Sequence, residues 1–242
     1  MINKIVILFK IARKIGSSDI IKIIDRTHKV PFLIKFFFNL VSLSFGKNQK
    51  TNNTNDLSST IQDLGTTFIK LGQFLATRPD IIGEELTKNL EKLQDKLPPF
   101  SKSLAEDIIR KELGELTAKN IIEFSEPVAA ASIAQVHKAK INEASTIKDV
   151  AIKVLRPNIK EIFNSEIDAI MMLAYLVETL IPKTKRLKLI EVVFLFKEIT
   201  NHEMDLRFEA AAANEYLENT KNDLGFNVPK IYWNFTSESV LT

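Results

Sequence analysis

One lysine constrains this chain more than any other residue. Lys153 stands in the middle of Asp149-Val-Ala-Ile-Lys-Val-Leu-Arg156, where Val150, Ile152, Val154 and Leu155 are apolar and mostly β-branched. That composition suits a short, half-buried β-strand. An ammonium in such a strand needs either a partner or water, because a desolvated charge without one is costly. Charged residues are also common on the wet face of an edge strand, where they discourage further pairing. The strand therefore asks for a carboxylate elsewhere in the chain or for an edge position, and the neighbouring segments must decide.

The chain has 242 residues, enough for one large domain or two small ones, with 45% hydrophobic and 26% charged residues, as in globular proteins. It has no cysteine, so disulfide frameworks and thiolate metal sites are excluded. Only His28, His137 and His202 occur, and no two are spaced as a metal pair. The net charge of +3 conceals an asymmetry: residues 1–50 hold ten lysines and arginines against Asp19 and Asp25, a net +8, and the rest hold a net −5. A basic arm of this kind meets an anionic surface, lipid or nucleic acid. Its cations are interleaved with aliphatic and aromatic residues, which disfavours nucleic acid. Val30 to Phe45 is apolar but carries Lys35 and Asn39 and is short for a membrane span. No signal-peptide cleavage pattern follows. Residues 1–48 read as basic amphipathic membrane-associating helices, the alternative being that their aromatics pack on the main domain. Residues 49–60 read as a polar linker.

Residues 61–118 read as a helical extension. Ile61 to Ala76 carries an apolar stripe of 3.6-residue period, broken at Arg78-Pro-Asp80. A second helix is expected over 82–95. A third, capped by Ser101 or Ser103 and ended by Gly114, points Leu104, Ile108, Ile109 and Leu113 inward. From residue 119 the period changes. Strands are expected at 121–126, within 127–137 and at 149–156, with a hairpin connection over 142–148. Long helices follow at 158–180 and 189–219, then two more strands at Pro229–Phe235 and from Ser239. Asp205 and Glu209, four apart on the second of these helices, share a face there, with Glu203 turned away.

Three strands with a lysine in the third, long helices with internal carboxylates and two further strands follow the order of a protein-kinase N-lobe. Kinases cover the nucleotide phosphates with a glycine-rich loop between the first two strands. Here Ala129, Ala130, Ala131, Ser132, Ile133 and Ala134 hold that place, and alanine does not take positive φ freely as glycine does. The substitution points elsewhere. Lys70-Leu-Gly-Gln73, the alanine-rich loop with Gln135-Val-His137, Val150-Ala-Ile-Lys153, and Glu203-Met-Asp205 with Glu209 and Asn214 together resemble the UbiB family of atypical protein-kinase-like proteins. Leu75-Ala-Thr-Arg-Pro-Asp80 and Leu93 to Phe100 extend the resemblance, which covers about residues 60–242.

The resemblance implies an α+β fold: a kinase-like N-lobe with a five-stranded antiparallel sheet and long helices, preceded by a family-specific helical extension. It implies that Lys153 contacts nucleotide phosphates and pairs with Glu209, and that residues 129–134 form the phosphate loop. Lys70 and Gln73 match the family's K-x-G-Q signature, which folds over the pocket. Glu203 and Asp205 match its E-x-D partner, with Glu203 expected to meet Lys70. It further implies ATP or ADP with magnesium and a role in ubiquinone biosynthesis. The setting it implies is peripheral, at the cytoplasmic face of a membrane holding polyprenylated quinone intermediates. The sequence departs from the family in one respect: residues 1–242 contain no His-x-Asp catalytic loop. Asp63-Leu-Gly65 and Asp223-Leu-Gly225 mimic a metal motif but stand in the wrong order and read as helix-end features. The expectation is therefore an N-lobe truncated at the hinge, lacking the C-lobe and catalysis. Its alternatives are a non-catalytic membrane-associated binding module, completed by a separately encoded C-lobe or binding other ubiquinone-biosynthesis proteins, or a decayed gene product.

Overall fold

A computed structural model describes residues 57–93, 97–225 and 227–242. The expected membrane-associating helices of residues 1–48 lie outside these. Described helices are α1 (Leu57–Leu64), α2 (Thr66–Ala76), α3 (Pro79–Ile82), α4 (Glu84–Leu90), α5 (Lys102–Leu113) and α6 (Glu115–Ala118). Strands β1 (Ile121–Ala130), β2 (Ala134–Glu143) and β3 (Thr146–Leu155) come next, then α7 (Ile159–Leu180), a 3-10 helix (Pro182–Leu187), α8 (Leu189–Glu203) and α9 (Leu206–Thr220). A 3-10 turn (Trp233–Phe235) and β4 (Val240–Leu241) complete the order. The residues divide into two compact units, 57–93 with Glu161–Lys197 and 97–160 with Glu198–Thr242.

The first unit is helical. Leu64, Phe68, Leu86, Leu90, Leu93 and Ala169 form one buried cluster. Phe163 and Phe196 are fully buried, their ring centroids 5.4 Å apart, with Phe74 5.5 Å from Phe196. The first helix starts at Leu57, inside the segment read as linker. Ser58 is buried, so this small polar residue follows packing and not its hydropathy. The helix expected over 82–95 is instead two pieces, because Gly83 at φ 82° closes α3 and opens α4. Pro79 stands at the start of α3, where its missing N–H costs nothing.

The second unit is built on an antiparallel sheet of order β1-β2-β3-β4. Period-two alternation buries Gln135, His137, Ala139 and Ile141 along β2, and Ile152 and Val154 along β3. Ala105 and Ile109 of α5 pack on Ala139, Ile152, Val154 and Val240. Ser101 caps α5 by accepting the Leu104 N–H. Leu104 itself is exposed and Ala105 takes the inward place, a small side chain where helix and sheet approach. The β2–β3 connection is only Ala144 and Ser145, at φ 48° and 65°. Positive φ at both central residues is the type I′ turn, one of the two-residue hairpins whose twist matches the flanking strands, so the strands run longer than the polar residues 142–148 suggested.

Two expectations fail here. The sheet has four strands among the described residues, not five. Pro229–Phe235 has strand-like composition, but it makes one ladder-like bond, Tyr232 N–H to Thr242 O at 2.9 Å, before turning into the 3-10 helix that buries Phe235. The helix expected over 189–219 is broken at Asp205, whose backbone is extended (φ −119°, ψ 97°). Leu206 N–H leaves the helical ladder for the Glu238 carbonyl at 2.9 Å. Asp205 Oδ1 takes the Arg207 N–H at 3.1 Å as the N-cap of α9.

Candidate functional site

β3 places Lys153 between two strands, opposite Val136 on β2 and Leu241 on β4. Ile152 and Val154 point into the core, so Lys153 emerges on the other face, half-buried. Its Nζ donates to both carboxylate oxygens of Glu209 on α9, at 2.7 and 3.0 Å. Glu209 lies one turn after the Asp205 cap, so the cap sets where this carboxylate starts. The carboxylate is half exposed. A pair this wet contributes little to stability, which leaves the ammonium at small cost for another anion.

The alanine-rich segment is shared between structures. Ala129 and Ala130 end β1, Ala134 begins β2, and the turn itself is Ala131-Ser132-Ile133. None of the six is among the described non-glycine residues with positive φ. Alanine is thus unstrained where glycine was the expected requirement. Ser132 and Ile133 bury their side chains, and Ala131 N–H closes the turn on Ala134 O at 2.8 Å.

Beneath this loop lies a buried polar chain. Gln135 Oε1 accepts the Phe100 N–H at 2.9 Å, and its Nε2 donates to Phe100 O at 3.1 Å and to His137 Nε2 at 2.9 Å. His137 Nδ1 is 2.9 Å from the Ser125 carbonyl, which only accepts, so Nδ1 carries the proton and Nε2 receives from Gln135. The ring stacks on Phe124 at 4.2 Å. Burial pushes the His137 pKa below its ordinary value, in keeping with a neutral ring. The sequence signal for this chain was available: two polar residues two apart on the strand face that Ala139 and Ile141 continue.

The remaining expected residues divide between the units. Lys70 and Gln73 lie on α2 of the first unit, half-buried. Between them Gly72 is buried, and a Cβ there would collide with Leu93 Cδ1 and lie 3.5 Å from Ile61 Cγ2. Glu203 ends α8 in the second unit and is exposed. Asp205 does not share a helical face with Glu209, because it is the cap and not a helical residue. Its carboxylate forms a fork with Arg207, Nε to Oδ1 at 2.9 Å and Nη2 to Oδ2 at 2.7 Å. That guanidinium holds the Asp205 carboxyl below the usual carboxylate range. Arg207 was not anticipated. A cation two residues after a capping aspartate was the signal for it.

The sequence profile of the ABC1 atypical kinase-like domain matches residues 92–242, a span that takes in the sheet, the alanine-rich turn, Lys153 and Glu209. The chain belongs to the ABC1 atypical kinase-like family. It is 35% identical over 214 residues to a Marinobacter nauticus protein named "Probable protein kinase UbiB", covering 88% of this chain and 39% of that one. Proteins of the same name from Pseudomonas paraeruginosa and Cellvibrio japonicus are 37% and 36% identical over 182 and 181 residues, covering 75% and 74% of this chain. The chain spans about a third of the length of the curated relatives it matches.

Among the described residues no group of three or more His, Asp or Glu side chains could hold a metal ion. Asp63 belongs to the end of α1, before Gly65 at φ 108°, and Asp223 to the turn after α9, before Gly225 at φ 91°. Both are helix-end features, as their order in the sequence suggested. No described helix is long and apolar enough to cross a membrane.

Proposed function

We propose that this chain is the nucleotide-gripping portion of a UbiB-type atypical kinase that supports ubiquinone biosynthesis at a membrane. The observation that carries the reading is the bidentate Lys153–Glu209 pair, 2.7 and 3.0 Å, beside a short strand-to-strand turn. An ATP bound there supplies a γ-phosphoryl group. Lys153 would meet the phosphates as a point charge while Glu209 fixes its direction, and the turn at 131–133 would cover them. Lys70, Gln73, Glu203 and Asp205 are assigned to closing and ordering the pocket, as the K-x-G-Q and E-x-D signatures imply. Residues 1–242 hold no His-x-Asp loop. The base and metal-holding carboxylates for phosphoryl transfer therefore come from outside them, in the same polypeptide or a separate one, and magnesium arrives with the nucleotide. Residues 1–48, basic and apolar, address the protein to the cytoplasmic face of the membrane, where polyprenylated quinone intermediates reside. The test is titration of the chain with a fluorescent ATP analogue in magnesium buffer. Saturable binding that weakens about tenfold in Lys153→Ala is expected; no binding, or binding indifferent to that substitution, refutes the reading.

A further inference from the structure

The loop that stands in for the glycine-rich one has its carbonyl oxygens occupied, and most of that is the work of one residue outside it. Arg156, immediately after β3, donates its backbone N–H to Ile133 O at 2.8 Å. Its guanidinium forks onto the Ala131 carbonyl, Nε at 3.1 Å and Nη2 at 2.8 Å. The Ala134 carbonyl is taken by the Ala131 N–H. Three of the four carbonyls from Ala131 to Ala134 thus have protein donors. Carbonyl oxygens repel an approaching phosphate, whereas loops that cradle one offer it N–H groups.

The guanidinium is itself fixed from behind. Its Nη2 reaches Leu97 O at 3.5 Å, and its carbon lies 5.9 Å from the centre of the Phe100 ring. Phe100 in turn is held at both backbone polar groups by Gln135. A planar fork held this way fixes the Ala131 carbonyl in a way that a lysine, with a single rotatable ammonium, does not reproduce.

We infer that Arg156 is a positioning residue for the nucleotide phosphates: it holds the 131–133 turn in its anion-receiving form without touching the nucleotide. The inference rests on the nucleotide reading above. Without the fork, the Ala131 carbonyl loses its donors and the turn is free to rotate it toward the phosphates. In the nucleotide reading the turn covers the phosphates and not the base or ribose, so the loss is expected to fall on phosphate recognition.

The experiment displaces a fluorescent ADP analogue with ATP and with adenosine, on the full 242-residue chain in magnesium buffer, for wild type, Arg156→Ala and Arg156→Lys. The expected result in Arg156→Ala is about tenfold weaker ATP and adenosine changed by less than about twofold, with Arg156→Lys between. A merely structural role would weaken both ligands together. An unchanged ATP affinity, or equal losses for ATP and adenosine, overturns the inference while leaving the nucleotide reading in place. If wild type binds neither, that reading fails and takes the inference with it. Should Arg156→Ala not fold, judged by thermal unfolding, Arg156→Lys decides by the same ratio.

Discussion

Replacing Asp205 separates two roles that the sequence had merged. Asp205→Ala removes the cap on the Arg207 N–H and the fork to the Arg207 side chain. Loss of an N-cap oxygen costs about 1 kcal/mol. Loss of a negative charge at a helix N-terminus adds about 0.3–1 kcal/mol. The ion pair adds at most about 1 kcal/mol, because Arg207 is 59% exposed. The sum for alanine is about 1–3 kcal/mol. Asp205→Asn keeps a capping oxygen but loses the charge and with it the ion pair, so by the same reasoning it should cost about 0.3–2 kcal/mol, about 1 kcal/mol less than alanine. The assay is urea unfolding followed by helical circular dichroism, repeated from pH 7 downward. The Asp205 pKa is lowered in the folded state. Its stabilisation is therefore fully present above the unfolded carboxylate value, about 4, and is lost as pH falls through the lower folded value. Wild type should lose this increment on acidification and Asp205→Asn should not. Equal damage from alanine and asparagine, or two variants indistinguishable from wild type, would refute the capping argument.

Two further perturbations probe the supports around the site. Gly72→Ala gains roughly 1 kcal/mol of helix propensity but drives a methyl into Leu93; overpacking of this kind costs about 1–3 kcal/mol, so a lower urea midpoint is expected, with a smaller drop when the same substitution is made in a Leu93→Ala background. His137 is buried with a depressed pKa, so the unfolded state takes up a proton first as pH falls below about 6.5. Stability should decline from there until the folded value is reached, and His137→Phe should flatten that slope relative to wild type while leaving the Gln135 amide short of an acceptor.

How much of this was legible follows from where each decision is made. The demand of Lys153 for a partner is local, since one charge among four apolar neighbours is visible in eight residues. The sheet face of β2 is local as well, through its period of two. The break at Asp205 is not. The run from Leu189 to Asn219 has no proline or glycine, and what ends α8 is a carbonyl more than 30 residues away, at Glu238, waiting for the Leu206 N–H. The strand expected at Pro229–Phe235 fails for the related reason that strand composition says nothing about whether a neighbour offers consecutive partners. Arg156 was the hardest to anticipate, because its partners Ala131, Ile133 and Leu97 are backbone carbonyls, and a carbonyl leaves no signature in the residue type.

The alanine-rich turn shows how a chain can dispense with glycine where glycine is the usual answer. Among the described residues, non-glycine positive φ occurs at Ala144, Ser145, Asn158 and Lys188. The first two form the far hairpin of the same sheet, and the others join elements elsewhere. None lies between Ala129 and Ala134, so the left-handed backbone that costs a side chain about 1 kcal/mol or more has been kept out of the alanine-rich turn. What replaces it is a set of hydrogen bonds from Arg156 and Ala131 onto the turn's carbonyls. A glycine loop is adaptable because its backbone is free, and this one is directed because its carbonyls are held. Returning glycine to Ala131 or Ser132 would widen the backbone's choice of φ and ψ with the clamp in place, whereas Arg156→Ala removes the guanidinium fork from the Ala131 carbonyl and keeps the backbone bond to Ile133. The two perturbations address different halves of the same design.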